Sequence, residues 1–332
     1  MRQIKSILNK TNRGDRPLNI LCFPTHERYE SNLAKTDHNF WSFYHPQVKE
    51  WNEKYGKSPT NYHLVKNKFD QDLVQKTVDF DLILSQNKFG QFQLAQELSK
   101  KYNVPICSIE HTLPHPNWTP QQLKGMKDMK AHTNYFISEF SRAKWGWTDK
   151  EADVIHHGID TNLFNDKRLS RENVCLSVVN EWESRDVWCG YKFWRAATKD
   201  INIRVVGDNP GLSVPAESAE ALSLEYNKAR IFLNTSLVSP IPTALLEAMS
   251  CGCICISTAT CMIPEIISHQ SNGLLVSSPQ EMAEQINNVL SKPEDYVLMG
   301  INARDTITQR FSLPKFVDKW NEILNRTAEI EL

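Results

Sequence analysis

The sequence predicts an α/β protein with two mostly parallel sheets. Short apolar runs alternate with stretches of helical propensity along both halves of the chain, which is the pattern of repeated βα units. The runs are apolar almost throughout, as expected of strands covered by helices on both faces. The chain has 332 residues, more than one typical α/β domain needs. We therefore expect two domains, each built around one sheet.

The elements follow one another in a regular order. In the first half, strands are predicted at residues 18–23, 80–84, 104–109 and 134–137, with helices at 92–102 and 139–145. In the second half, strands are predicted at 174–179, 201–206, 230–234, 253–257 and 274–276, with helices between them. Residues 314–324 form a final amphipathic helix, because Phe316, Val317, Trp320 and Leu324 recur at helical spacing.

Composition is typical of a globular protein, with 40% apolar and 23% charged residues. No apolar run approaches the roughly 20 residues that a membrane-spanning helix needs. Residues 1–10 lack the apolar core of a signal peptide, and the eight cysteines mostly lie in apolar strand contexts, so we expect a cytoplasmic protein with reduced thiols. No Cys/His pair follows Cys251, Cys253 and Cys255 at a zinc-like spacing, so we predict no metal and no cofactor.

The most informative segment runs from Ser239 to Val276. It follows a predicted strand that ends in polar residues and prolines. Pro242 suits the first position of a helix, where its missing N–H is no loss. The amides of the next three residues, 243–245, then have no partner within the helix, and together with the helix dipole they favour an anion such as a diphosphate.

Glu247 lies one helical turn after Thr243 and on the same face. Its carboxylate is therefore placed to accept hydrogen bonds from a ribose whose phosphates rest on the start of the helix. An ordinary βαβ crossover with a solvated Glu247 has the same spacing. Spacing alone leaves both interpretations open.

Three motifs in this region carry a family resemblance. The stretch Ser239-Pro-Ile-Pro-Thr-Ala-Leu-Leu-Glu-Ala-Met-Ser-Cys-Gly252, then Ile263-Pro-Glu-Ile-Ile267 and Asn272-Gly-Leu-Leu-Val276, resembles the donor-site signature of family 4 retaining glycosyltransferases. The resemblance implies the GT-B fold, in which two Rossmann-like domains face each other across a cleft. It also implies a nucleotide-diphosphate sugar, such as a UDP- or GDP-sugar, as the donor substrate.

The resemblance covers most of the chain and implies its domain limits. Residues 1–163 correspond to an N-terminal acceptor-binding domain, and residues 164–311 to a C-terminal domain that binds the nucleotide sugar. The C-terminal helix, residues 312–332, is expected to pack back on the first domain. The segment Val154-Ile-His-His-Gly-Ile-Asp160 resembles the end of the first domain, with His157 where the family usually has Asn.

The sequence departs from the family at the donor site itself. The family commonly carries Glu, seven residues and a second Glu; the second falls on Glu247, whose implied role is to bind the ribose hydroxyls. The first would fall on position 239, which is Ser, and a Gly expected at position 242 is Pro. Ser239 can form hydrogen bonds but carries no charge, so we expect its contacts with the transferred sugar to differ from those of the family's glutamate.

The loop after the strand at 174–179 occupies the place where the family keeps a pair of cations against the pyrophosphate. Arg185 is the candidate for the first, because a guanidinium binds phosphate oxygens bidentately, and Lys192 for the second. The alternative for Arg185 is an ordinary surface cation. The predicted donor-binding residues are Asn180, Lys192, Ser239, Ile241, Pro242, Thr243, Ala244 and Glu247.

In the first half, His111 follows the strand at 104–109, where the family often has a histidine. Its implied role is to hydrogen-bond the donor sugar, which makes His111 and Arg185 the predicted catalytic residues. Glu110 precedes it, and the two side chains point to opposite faces unless the strand has already ended. His26 and Arg28 lie in the loop after the first strand and are the predicted acceptor-binding residues.

Charge is divided unevenly between the halves. Residues 1–160 have a net charge of +4 and residues 161–332 of −5. The basic first half favours an anionic acceptor, such as a phospholipid, a phosphorylated sugar or DNA with a modified base. A neutral saccharide remains the alternative. Residues 49–68 and 118–130 are basic and contain aromatic side chains, so they are the candidate stretches for such a partner.

The resemblance implies transfer of a sugar to an acceptor hydroxyl with retention of configuration and without a metal ion. The diphosphate would leave toward Thr243, Ala244 and Arg185 while the acceptor attacks from the same face. Alternatives are a phage-type DNA glycosyltransferase acting on hydroxymethylated pyrimidines, a non-catalytic nucleotide-sugar-binding module and a GT-B epimerase. The sequence indicates no oligomeric state.

Overall fold

The structure is a computed structural model that describes residues 14, 16–46, 48–53, 56–115, 117–199, 201–239 and 241–332. The prediction that residues 1–10 form no signal peptide concerns residues that lie outside the described part. The chain divides into two compact units. The first comprises residues 1–158 and 314–332, and the second residues 159–313. Among the described helices, none has both the length and the apolar character needed to cross a membrane.

The first unit contains a parallel sheet of seven strands in the order β3-β2-β1-β4-β5-β6-β7. The strands are β1 (Asn19–Cys22), β2 (Asn39–Ser42), β3 (Tyr62–His63), β4 (Leu82–Ser85), β5 (Ile106–Glu110), β6 (Thr133–Phe136) and β7 (Asp153–Val154). The helices that connect them are α1 (Glu27–Leu33), α2 (Lys68–Thr77), α3 (Lys88–Tyr102), α4 (Pro120–Lys127) and α5 (Glu139–Lys144). The strand order reverses between β1 and β4.

The second unit contains a parallel sheet of five strands in the order β12-β11-β10-β8-β9. The strands are β8 (Glu172–Val178), β9 (Ile203–Val206), β10 (Ala229–Asn234), β11 (Ile254–Thr258) and β12 (Leu274–Val276). The helices are α6 (Asp186–Cys189), α7 (Tyr191–Ala197), α8 (Ala219–Lys228), α9 (Thr243–Ser250), α10 (Ile263–Ile266), α11 (Pro279–Ser291) and α12 (Val297–Arg310). Here the order reverses between β8 and β10.

Both sheets are buried, as their apolar sequences predict. In the first unit Leu21, Ile83 and Ile106 belong to one apolar core. In the second unit Ile231 and Ile256 belong to another. Every predicted strand coincides with an observed one, and the predicted α/β fold with two parallel sheets is confirmed.

The final helix, α13 (Leu313–Ala328), packs through its apolar face on the first unit. Phe316 and Trp320 are buried, and Trp320 Nε1 donates a hydrogen bond to Tyr29 Oη at 3.1 Å. The backbone at Gly158 approaches α13 so closely that a Cβ there would lie 2.6 Å from the Cβ of Phe316. The residue at 158 therefore has no room for a side chain.

Replacing Trp320 by alanine is expected to lower the free energy of unfolding of the first unit by about 3–5 kcal/mol. The change empties a fully buried site and leaves the Tyr29 hydroxyl without its donor. Urea denaturation followed by far-UV circular dichroism measures the loss. Lys319→Ala, on the partly exposed side of the same helix, is the control and should change stability by under about 0.5 kcal/mol. A loss below about 1 kcal/mol in Trp320→Ala would contradict this packing.

Candidate functional site

One candidate site lies at the carboxyl edge of the second sheet. β8 and β10 are neighbours there, at the point where the strand order reverses. Open α/β sheets bind ligands outside the carboxyl ends of their strands at such a point. The loop after β8 carries Asn180 and Arg185, and the loop after β10 leads into α9. The fold therefore gathers most of the predicted donor-binding residues on loops at one edge.

Hydrogen bonds tie these two loops together. The amides of Leu237 and Val238 donate to Trp188 O at 2.9 and 3.1 Å. At Gly190, φ is +65° and a Cβ would lie 2.2 Å from Thr235 O, so the close approach of the two loops requires glycine. The segment that carries Arg185 is therefore fixed against the segment that precedes α9.

The two predicted cations differ in whether a carboxylate of the protein pairs with them. Arg185 is exposed, and its Nη1 donates to Asn180 O at 3.3 Å. No carboxylate pairs with its guanidinium in the part of the chain that the structure describes. Lys192 Nζ instead lies 3.3 Å from Asp186 Oδ2, an ion pair whose lysine side chain is 88% exposed. Of the two, Arg185 has more of its charge available for a ligand.

Asn180 connects two loops. Its side-chain Oδ1 accepts a hydrogen bond from Asp208 N at 2.9 Å, which joins the loop after β8 to the loop after β9. Gly207 makes that junction possible, because a Cβ there would lie 2.0 Å from Val179 O. The side chain of Asn180 thus shapes the loop, while a direct contact with the donor stays a prediction.

The start of α9 has no side-chain cap. Pro242 is the N-cap, with an extended backbone, so the helix begins at Thr243 and the prediction of Pro242 as the first helical residue is wrong by one position. A proline side chain has no acceptor for the first amides. By contrast, Ser218 and Ser278 cap α8 and α11 with their hydroxyl oxygens. The difference leaves the polar start of α9 open to another acceptor.

Two backbone donors remain at this helix start. Leu245 N donates to Pro242 O at 3.0 Å, so the prediction that this third amide is unpaired is wrong. The amides of Thr243 and Ala244 have no acceptor among the described residues. Ser239 and Ile241 precede them; Ser239 is half-buried and Ile241 is buried. The start of α9 therefore offers two amides to an acceptor, while binding of an anion there stays a prediction.

Glu247 is buried, so the interpretation of a solvated carboxylate is wrong. Only 1% of the residue is exposed, and Oε2 accepts a hydrogen bond from the hydroxyl of Tyr226 at 2.9 Å. Tyr226 lies on α8 and is fully buried. It is not among the predicted site residues, because no sequence spacing connects positions 226 and 247. The role of Glu247 at a ribose stays a prediction.

A separate group of predicted residues lies at the carboxyl edge of the first sheet, where β1, β4 and β5 end side by side. β5 ends at Glu110, so His111 lies just beyond the strand. Glu110 is fully buried and turns inward; its oxygens accept hydrogen bonds from Lys88 N at 2.7 Å and Thr112 N at 2.9 Å. Glu110 therefore supports the loops, and His111 remains the candidate for a ligand contact.

Aromatic rings surround His111. The ring of Tyr29 lies edge-on to it, with 4.5 Å between centroids, and also contacts His157 at 5.1 Å. Tyr29 is held in turn by Phe316 and Trp320 of α13. His157 Nε2 is buried and has no hydrogen-bond partner among the described residues. Of these, Tyr29 is not predicted from the sequence.

A buried polar network also reaches His111. Glu30 is fully buried, and its Oε1 accepts hydrogen bonds from Gln86 Nε2 at 2.7 Å and Thr25 N at 3.0 Å. Its Oε2 accepts one from Tyr62 Oη at 3.2 Å. Gln86 Oε1 lies 3.2 Å from His111 Nε2. Glu30 and Gln86 are absent from the predicted site, since isolated polar residues in a loop and a helix carry no pattern.

Burial controls the protonation of this network. It raises the pKa of Glu30 to about 7, against the opposing effect of the hydrogen bonds the carboxylate accepts. Burial also lowers the pKa of His111 to about 3, and the nearby charge of His26 acts in the same direction. His111 is therefore a neutral imidazole near pH 7, able to donate one hydrogen bond and accept another.

The predicted acceptor residues lie in the same region. His26 precedes α1 as its N-cap and is exposed, and its side chain makes no capping hydrogen bond. Arg28 is half-buried in the first turn of α1, so the prediction that it lies in a loop is wrong. The fold therefore places both residues near the carboxyl end of β1, while their contact with an acceptor stays a prediction.

Glu30→Gln is expected to change the pH dependence of stability. The pKa of Glu30 rises from 4.5 to about 7 on folding. Its protonated carboxyl group therefore contributes to the free energy of unfolding below pH 4.5, and this contribution is lost as pH rises through 7. The stability advantage of the wild type over the variant should therefore fall by about 3 kcal/mol between pH 4.5 and 7. Urea denaturation of both proteins across this range measures the difference, and an advantage independent of pH would contradict the assignment.

The described side chains, the cysteines included, form no metal cluster. No group of three or more His, Cys, Asp or Glu side chains in the described ranges is arranged to hold an ion. Cys251, Cys253 and Cys255 are buried free thiols, and Cys253 Sγ donates to Tyr226 O.

A cavity of about 510 Å³ lies at the opposite, amino edge of the second sheet. Four arginines are among its lining residues, and at least two of them form hydrogen bonds within the fold. Arg171 donates to Ala229 O and Cys251 O, and Arg304 donates to Ser250 O. These guanidinium groups satisfy backbone carbonyls, including those at the C-terminal end of α9.

Comparison with known proteins connects this geometry to a family. Residues 199–306 match the model of group 1 glycosyl transferases. The N-acetyl-alpha-D-glucosaminyl L-malate synthase of Bacillus anthracis is 37% identical over 244 residues, which is 66% of this chain and 58% of that protein. This chain thus spans less than two thirds of the length of that relative.

Solved structures share the fold over most of the chain. The crystal structure of HepE from Anabaena in complex with UDP has a TM-score of 0.74 at 17% identity, and the match covers 94% of this chain and 100% of that one. Sucrose-phosphate synthase from Thermosynechococcus elongatus has a TM-score of 0.72 at 15% identity, covering 94% and 99%. The similarity to group 1 glycosyl transferases thus covers residues 199–306, and the chain has the GT-B fold.

Proposed function

We propose that this protein is a retaining glycosyltransferase that moves a sugar from a nucleotide-diphosphate sugar to an acceptor hydroxyl without a metal ion. The observation that carries the proposal is the uncapped start of α9 beside a cation. The amides of Thr243 and Ala244 supply two donors for a diphosphate, and Arg185 lies on a loop bonded to the loop that precedes them. The match of residues 199–306 to group 1 glycosyl transferases supports the same conclusion.

The proposed mechanism uses electrostatic stabilisation of the leaving group. The two amides and the guanidinium of Arg185 stabilise the charge that develops on the diphosphate as its bond to the sugar breaks. The acceptor hydroxyl attacks the same face of the sugar, and the departing phosphate oxygen takes its proton. Neutral His111 binds the sugar, and Glu247 binds the ribose of the nucleotide.

We propose a UDP-sugar as donor and a small anion as acceptor. UDP and UDP-glucose bind the Anabaena protein that shares the fold. The name of the Bacillus anthracis relative contains L-malate, a dicarboxylate. The net charge of +4 on residues 1–160 fits an acceptor of that kind.

Release of nucleoside diphosphate from a panel of UDP- and GDP-sugars tests the proposal. The acceptors are L-malate, a neutral sugar, phospholipid vesicles and DNA containing hydroxymethylcytosine, each with and without EDTA. We expect release to be stimulated by an acceptor, to be unaffected by EDTA and to give a product with the donor's anomeric configuration by NMR. Inversion of configuration, or loss of activity with EDTA that added metal restores, would contradict the mechanism.

A non-catalytic module that binds nucleotide sugars is the second candidate. The observation that favours it is Ser239, which stands where the family usually carries the glutamate that contacts the sugar. A module of this kind would show a thermal shift with a nucleotide sugar but no release of nucleoside diphosphate with any acceptor. Restoration of release by Ser239→Glu would identify the missing carboxylate as the reason.

A further inference from the structure

The side chain of Gln86 lies between a buried carboxylate and His111. Its Nε2 donates to Glu30 Oε1 at 2.7 Å and lies 3.4 Å from Phe23 O. Its Oε1 lies 3.2 Å from His111 Nε2. The three side chains are therefore joined in one chain of hydrogen bonds that starts in the protein interior and ends at the ring of His111.

The surroundings of Gln86 determine which way its amide points. A backbone carbonyl such as Phe23 O only accepts hydrogen bonds, whatever the protonation of Glu30. Rotating the amide by 180° would place Gln86 Oε1 against Phe23 O and against a carboxylate oxygen of Glu30. Gln86 Oε1 and Phe23 O are both acceptors, so no hydrogen bond could form between them. The amide nitrogen must therefore face Phe23 and Glu30, so the amide oxygen must face His111.

An acceptor facing one ring nitrogen selects a histidine tautomer. Because Gln86 Oε1 can only accept, His111 Nε2 has to carry the proton, and a neutral ring then has a lone pair on Nδ1. His111 Nδ1 has no hydrogen bond to any described residue. The edge-on contact with Tyr29 holds the plane of the ring while this pairing holds its tautomer.

We propose that Glu30 and Gln86 are positioning residues that hold His111 as the Nε2–H tautomer, so that its Nδ1 accepts a hydrogen bond from a hydroxyl group of the ligand. Glu30 orients the amide and Gln86 orients the imidazole. The tautomer itself follows from the folded chain alone, and only the hydroxyl recognition rests on the proposed glycosyl transfer. The site then favours a sugar that carries a free hydroxyl at that position over one in which the oxygen is absent or methylated.

The tautomer is tested without substrate by ¹⁵N NMR of the imidazole nitrogens in the ¹⁵N-labelled full chain at pH 7, with His111 assigned by comparison with His111→Gln. We expect an unprotonated Nδ1 and a protonated Nε2 in the wild type. In Gln86→Leu we expect a mixture with a larger share of Nδ1–H. A wild-type ring protonated on Nδ1, or an unchanged tautomer in Gln86→Leu, would overturn the proposal.

Two further variants keep the test valid if Gln86→Leu folds poorly. Glu30→Gln retains an acceptor for Gln86 Nε2 and should leave the tautomer unchanged. Gln86→Glu offers His111 a carboxylate and should raise the pKa of the imidazole, which a titration by NMR detects. Gln91→Ala is the matched control, because it removes the acceptor of Gln86 N at 3.0 Å without touching the side-chain amide. The control should show the wild-type tautomer.

Deoxy and O-methyl analogues of the donor sugar that supports turnover test the recognition step. Removal or methylation of one hydroxyl should lower kcat/KM roughly tenfold, the effect of about one hydrogen bond. This preference for the free hydroxyl should be smaller in Gln86→Leu but not in Gln91→Ala. If the tautomer is as proposed but the chain turns over no nucleotide sugar, the proposed function fails and the positioning stands. If turnover is found but every analogue behaves alike in both variants, hydroxyl recognition by His111 fails.

Discussion

Arg185→Ala is expected to lower the turnover of the nucleotide sugar by about 10²–10³-fold, the usual effect of removing one group that stabilises charge in a transition state. The guanidinium is exposed and makes one side-chain hydrogen bond, to Asn180 O, so the fold loses little with it. Stability should therefore stay within about 0.5 kcal/mol of the wild type. Initial rates of nucleoside diphosphate release and the denaturation midpoint measure the two quantities on the same preparations.

The control for this experiment is another exposed arginine of the same unit. Arg195 lies on α7 over the ring of Trp194 and should be replaceable by alanine without loss of turnover. Arg185→Lys keeps the charge but loses the planar fork, so an intermediate loss is expected. Equal turnover in Arg185→Ala and Arg195→Ala would exclude Arg185 from the reaction.

Glu247→Gln is expected to weaken binding of the nucleotide sugar by about 10–100-fold. Hydrogen bonds to a charged group contribute about 1.5–3 kcal/mol, and the amide keeps the shape of the carboxylate but not its charge. Its oxygen can still accept the hydrogen bond from Tyr226, so the variant should fold normally. Isothermal titration with the donor or with the nucleoside diphosphate gives the affinity directly.

Tyr226→Phe separates the structural role of Glu247 from its role in binding. It removes the hydroxyl that donates to Glu247 Oε2, leaving the buried carboxylate with one donor fewer, so stability should fall by about 1–3 kcal/mol. Donor affinity should fall less than in Glu247→Gln. If instead Glu247→Gln binds the donor like the wild type, the carboxylate serves only the packing of α8 against α9.

The fold could be predicted because its main signals are local. β10 and β11 are apolar runs of ordinary strand length, and each is followed by helical sequence. Three observed strands are absent from the prediction. β3 and β7 have only two residues each, too few to show a pattern. β2 has only two apolar residues, Phe40 and Trp41, between Asn39 and Ser42. The sequence predicts the start of α9 one residue early, because proline suits both the N-cap and the first helical position. The backbone conformation at Pro242 decides between the two positions.

The site could be predicted only in part, for a physical reason. Residues that follow strands, such as Arg185 and His111, are placed by the sheet, so their sequence position indicates where they lie. The partners of Glu247 and His111 are placed by packing between elements distant in sequence, which no spacing reveals. The burial of Glu247 by Tyr226 and the pairing of Glu30 with Gln86 are of this kind.

A crystal structure of the protein with UDP, or with the nucleoside diphosphate that binds most tightly, tests the central claim most directly. We expect the pyrophosphate to accept hydrogen bonds from the amides of Thr243 and Ala244 at about 2.7–3.2 Å and to contact the guanidinium of Arg185. A pyrophosphate bound elsewhere, for example in the arginine-lined cavity beside Arg171 and Arg304, with the start of α9 unchanged, would contradict the account.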